Sequence, residues 1–154
     1  MLERIIESEW NEADRTLTTR LAGPLTLDEV EAWEDGLYRT SDAIPFGCTF
    51  AMLIDMTGYN ALAVDRATHA FQRAVIPTFL AAYDHRAAYL KLFDDIGEIA
   101  APRRDAICGA VAHVHHDCTK MESFERELAT ENERFFCTRD AALEWLRTIA
   151  ASLP

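Results

Sequence analysis

"TFAMLIDMT", residues 49–57, is a nearly unbroken apolar run that reaches an aspartate near its end. A strand covered on both faces needs apolar side chains on both, so it reads as a continuous run rather than an alternation. The segment is therefore expected to be the central strand of a sheet, with "TGYN", 57–60, ending it.

Upstream, "ERIIESEW", 3–10, and "RTLTTRLA", 15–22, flank the turn "NEAD". In the second, Leu17, Thr19 and Leu21 share one face while Thr18 and Arg20 take the other, the period of a half-buried strand. An antiparallel hairpin at a sheet edge is expected. "GPLTLDEVEAWEDGLYR" then opens a helix: Thr26 and Glu29 have capping-box spacing, and Leu27, Val30, Trp33 and Leu37 recur at helical intervals.

Downstream, residues 61–83 carry a helical stripe of Val64, Ala67, Phe71 and Val75, which Pro77 is expected to kink or break. Two short apolar runs follow. "RAAYLKLF" reads as a strand, or as a helix with Tyr89, Leu92, Phe93 and Ile96 on one side and Gly97 as its cap. "AICGAVAHV" reads as a buried strand, or as a helix whose stripe runs from Ile107 to Met121, and periodicity alone does not choose. Thr119 and Glu122 have capping-box spacing for a further helix with Met121, Phe124 and Leu128 inward. "NERFFC", 132–137, reads as a short strand, and Thr138 as the N-cap of a last helix burying Ala142, Trp145, Leu146 and Ile149. The sum is an α/β chain with helices packed on a mixed sheet that begins with an antiparallel hairpin.

At 154 residues, 49% apolar and 27% charged, the chain is expected to fold as one domain spanning 1–154 and not to be disordered. A formal net charge of −11 opposes binding to nucleic acid or to an anionic membrane surface. "AMLI" and "AICGAVA" are far too short to span a bilayer, and "MLERIIESEW" lacks the basic start and apolar run of a signal peptide. A cytoplasmic location is expected. Cys48, Cys108, Cys118 and Cys137 are scattered without a CxxC pair, so each reads as a small buried hydrophobe or a free thiol.

The hairpin with "RLAGPLTLDEVEAW", the central "LIDMTGYNALAVDRA" and the terminal "NERFFCTRDAALEWL" together resemble the STAS, or SpoIIAA-like, fold. That family is known from anti-sigma-factor antagonists and from many bacterial domains without assigned activity. The resemblance implies a bacterial, non-enzymatic regulatory or binding module. In the antagonists a phosphorylatable serine follows the central strand, but the matching stretch "ALAVD", 61–65, has no hydroxyl. Phosphorylation of that turn is not expected here.

The chemistry-bearing cluster is "AHVHHDC", 112–118, which holds three of the five histidines. On a helix, His113, His116 and Asp117 would stand at i, i+3 and i+4, close enough to share a divalent metal. On a strand, His113 and His115 would share a face, with His116, Asp117 and Cys118 in the turn at the carboxyl end, where open sheets bind ligands. Neither arrangement supplies a closed four-ligand site without help from Asp55, His85 or Tyr59. Cys118 beside imidazoles at a helix start is a candidate for thiol chemistry. The plainer reading makes His113, His116 and Asp117 a solvated face. Asp55, Thr57 and Tyr59 at the end of the central strand are expected to line a ligand crevice with His115, His116 and Cys118, although an aspartate there often only caps a turn. Trp33 and Trp145 read as core.

The functional expectation is a binding module for a protein partner or a small apolar ligand, needing no cofactor. The alternative is a metal- or thiol-based enzyme or sensor using His113–Cys118. Homodimerisation through the hairpin edge is the expected mode of any self-association.

Overall fold

A computed structural model describes residues 3–92 and 99–153. Strands β1 (Ile5–Asn11), β2 (Thr16–Ala22), β3 (Thr49–Asp55), β4 (Ile107–Val114) and β5 (Glu133–Phe136) form one mixed sheet in the order β1-β2-β3-β4-β5. The first pair is the antiparallel hairpin; the rest are parallel. Helix α1 (Leu27–Ser41) joins β2 to β3, α2 (Arg66–Ala82) joins β3 to β4, and α3 (Cys118–Leu128) joins β4 to β5. Because the parallel strands add in chain order, right-handed crossovers place these three helices on one face. Helix α4 (Arg139–Ala150) covers the other.

Strand β3 holds the centre as its apolar run demands. Phe50, Met52 and Ile54 enter the core with α1 and α2, while Ala51 and Leu53 pack with Ala142 and Leu146 of α4. Full burial of side chains of this size contributes on the order of 2–3 kcal/mol each. Trp33 is fully inside, and its Nε1 donates to Thr19 Oγ1 at 2.7 Å, so the indole brings no unpaired donor into the core. Trp145 is half-buried and packs against Phe136.

The N-cap of α1 is Thr26 with its reciprocal Glu29 bond, and that of α4 is Thr138. Three expectations change. Pro77 does not end α2, which runs on to Ala82; proline removes one amide N–H and its hydrogen bond, and burial of Val75, Ile76, Phe79 and Leu80 around it holds the helix together. The helix also begins later, with Asp65 as N-cap after a short 3-10 turn at Ala61–Ala63, and its stripe is set by Thr68, Val75 and Ile76 while Ala67 is exposed. Finally, α3 starts two residues before its expected box. Asp117 is the N-cap, accepting from the Lys120 amide at 3.1 Å, and Thr119 lies inside the helix.

"AICGAVAHV" is a strand: Thr49–Asp55 pairs with β4 along its length, with a bulge opposite Phe50/Ala51. Gly109 occupies that bulge, where a Cβ would come within 2.8 Å of Thr49. "RAAYLKLF" contains a 3-10 segment at Ala88–Leu92; the alternative helix through Phe93 and Ile96 to Gly97 lies outside the described residues. No helix among the described residues is long and apolar enough to cross a membrane.

Candidate functional site

Strands β3 and β4 end side by side, and the loops that leave them are stitched together. The Met56 amide donates to the Val114 carbonyl at 2.8 Å. Gly58, at φ +92°, takes the left-handed conformation that glycine adopts freely and donates its amide to His116 Nδ1 at 3.1 Å. The His115 ring closes the join. Its Nδ1 accepts from the Asp117 amide at 3.0 Å, which fixes the proton on Nε2, and Nε2 donates to the Tyr59 carbonyl at 3.1 Å. Burial, with the charge of Lys120 and the neighbouring His116, lowers the His115 pKa and keeps the ring neutral.

Tyr59 then turns its phenol to α2, 3.1 Å from His69 Nδ1. Burial pushes that phenol up to about 12, so it keeps its proton and donates. His69 is the acceptor, and burial followed by the charges of Arg73 and Lys120 lowers its pKa. These groups border a cavity of ≈ 270 Å³ between α2, α3 and the sheet. Its apolar wall includes Ile54, Met56, Ile76, Met121, Phe124 and Phe135. His69, Gln72, Arg73, His113, His115 and Lys120 supply the polar positions.

Behind the wall lies Glu133, 1% exposed. Its Oε1 accepts from His85 Nε2 at 3.0 Å and the Ala88 amide at 2.9 Å, and its Oε2 from His113 Nε2 at 2.8 Å. Burial alone would raise this carboxyl, but the bonds from His113 and His85 prevail and hold it at about 2. His113 is stacked on Phe135 with centroids 4.6 Å apart and meets the edge of Tyr89 at 5.2 Å. Its role is to join the carboxylate to the cavity wall.

Of the residues singled out by sequence, Tyr59 and His115 line the cavity and His113 lines it from β4. His116 stacks on His115 at 4.2 Å but is exposed on the loop. Asp55 does not reach the cavity: its carboxylate accepts from Arg139 at 3.0 Å and from the Thr57 amide at 3.0 Å, tying β3 to α4 and its own turn. Burial would raise its pKa, and these bonds from Thr57 and Arg139 lower it instead. The proposed metal set does not assemble. A strand sends His113 to Glu133, the following loop sends His116 to Gly58, and Asp117 caps α3. Among the described residues no group of three His, Cys, Asp or Glu side chains is placed to hold a metal ion.

Cys118 is not a free thiol either. It is disulfide-bonded to Cys137, with Cα atoms 4.9 Å apart. The pairing follows from the crossover: α3 leaves the carboxyl edge of the sheet, β5 returns to it, and residues 19 apart meet there. Cys48 and Cys108 are free, and burial raises the Cys108 thiol beyond any ordinary ionisation.

Sequence reading missed Glu133, His69, Arg73 and Lys120 as parts of this region. Glu133 had a local signal, since it is the single acid sharing a face with Phe135 in a short strand. Comparisons of the chain with protein-family models, curated proteins and solved structures found no match, so the site is defined by its own geometry.

Proposed function

We propose that this chain is a non-enzymatic binding module that takes a small, largely apolar molecule into the cavity between α2, α3 and the carboxyl ends of β3 and β4. The observation that carries the reading is that cavity: ≈ 270 Å³, walled by Ile54, Met56, Ile76, Met121, Phe124 and Phe135, with a few polar groups at defined positions. Small-molecule sites are concave, mostly apolar and punctuated by a small number of polar groups that fix orientation. Its place at the carboxyl end of adjacent parallel strands is where open α/β sheets bind ligands. The STAS-like resemblance is consistent with a binding role, and the concave wall favours a small ligand over a protein partner.

The reading is tested with Nile red, a neutral apolar dye, by fluorescence titration of the parent and of Ala61→Trp and Gln72→Trp. Ala61 and Gln72 line the cavity from different elements, and each indole would fill part of it. Saturable enhancement in the parent, weakened tenfold or more in both folded variants, is the expected result. Equal binding in all three proteins, or none in the parent, overturns the proposal.

A further inference from the structure

We propose that the ligand of this cavity is an anion, an amphipathic monocarboxylate whose apolar body packs on the phenylalanine and methionine wall and whose carboxylate meets Lys120. The inference deepens the binding reading above and rests on it. The chain holds 26 acidic residues against 15 lysines and arginines, yet none of the described residues lining the cavity is acidic. Its lining instead gathers Lys120, Arg73 and three histidines. The nearest buried carboxylate, Glu133, is withdrawn behind His113 and fully engaged by three donors.

The positive groups come to the lining from separate elements, Arg73 from α2 and Lys120 from α3. Lys120 lowers the pKa of both His69, on α2, and His115, after β4, and Arg73 acts on His69 as well. A cation that acts on both walls makes the space between them more favourable to an anion. Lys120 also stands in the first turn of α3, where the helix's positive end disfavours a cation. With its Nζ 5.6 Å from the centroid of the Phe124 ring, the ammonium lies beside an apolar wall residue. His69, whose Nδ1 accepts from Tyr59, carries its proton on Nε2 and adds a neutral donor.

Size limits the class further. A volume of ≈ 270 Å³ accommodates roughly nine water-sized groups. A straight-chain or aryl acid of about that many non-hydrogen atoms fills it, and a larger apolar molecule extends through its solvent-open side.

The test is calorimetric titration of the parent and Lys120→Gln with octanoate and with octanamide, which has the same shape without the charge. Lys120 is exposed and anchors nothing in the core, so the variant is expected to fold. The parent should bind octanoate at least tenfold tighter than octanamide, and Lys120→Gln should abolish that preference, losing more affinity for octanoate than for octanamide. Equal affinities, or a preference for the amide, overturn the anion assignment while Nile red binding keeps the cavity reading alive. Binding of Nile red without either octanoyl compound also overturns it, and failure of all three ligands removes both readings together.

Discussion

His113 Nε2 lies 2.8 Å from Glu133 Oε2, joining neighbouring parallel strands through a bond that is almost wholly removed from water. The register pairs Val111 with Glu133 and His113 with Phe135, which puts both partners on the face that α3 covers. From there Glu133 also reaches His85 and the Ala88 amide, so one carboxylate ties the segment after α2 to the edge of the sheet.

Acid should loosen this tie. The Glu133 carboxyl is depressed from 4.5 to about 2, so its contribution is fully present above about pH 4.5 and is lost as pH falls toward 2. That difference corresponds to about 3 kcal/mol. Urea unfolding of the parent between pH 6 and 2, set beside Glu133→Gln, checks it: the variant should begin less stable and lose less of its remaining stability over the same interval. Identical slopes for the two proteins would show that Glu133 contributes no such linkage.

The disulfide makes a second prediction. Closing a loop between residues 19 apart restricts the unfolded chain and stabilises the fold by about 3 kcal/mol. For a chain of this length, Cys118→Ser with Cys137→Ser, or a strong reductant, should lower Tm by roughly 10 °C. Peptide mapping of the alkylated, non-reduced protein should label Cys48 before any other cysteine, because Cys108 is buried and the remaining two are paired. Modification of Cys118 under those conditions would contradict the pairing.

Asp55→Asn should separate stability from binding. Asp55 is 3% exposed and accepts from Arg139, and weakening that charge-assisted bond costs about 2 kcal/mol. Because its carboxylate faces α4 rather than the cavity, the Nile red affinity of the folded variant should equal that of the parent. A tenfold loss of affinity without loss of stability would return Asp55 to the ligand site.

What was legible in the sequence depended on how local its cause is. The hairpin, the α1 capping box and the central strand each follow from spacing within about ten residues, and each stands where the sequence puts it. "AICGAVAHV" was ambiguous because β4 is apolar on both faces, where strand and helix patterns coincide, and only pairing with β3 decides it. The cavity and the Cys118–Cys137 bond depend on how α3 returns to the sheet edge, which no local pattern encodes. Tyr59, His113 and His115 were found because strand ends are natural ligand positions; Lys120 and Arg73 were missed because charged residues on amphipathic helices ordinarily face water.

The start of α3 tests a local choice between two good caps. Thr119 and Glu122 have the sequence spacing of a capping box, yet the Asp117 carboxylate bonds the Lys120 amide and its carbonyl accepts from Met121 at 3.0 Å. An earlier start adds two residues, about half a turn, while leaving Met121 and Leu128 buried, so the core does not oppose it. Removing a helix cap of this kind costs about 1 kcal/mol, whereas an exposed first-turn threonine contributes little. Asp117→Ala should therefore lower unfolding stability by about that amount, and Thr119→Ala should stay within about 0.5 kcal/mol of the parent. Chemical denaturation of the two variants decides the matter, since a reversed order would place the cap at Thr119 and shorten α3 by two residues from its observed start at Cys118.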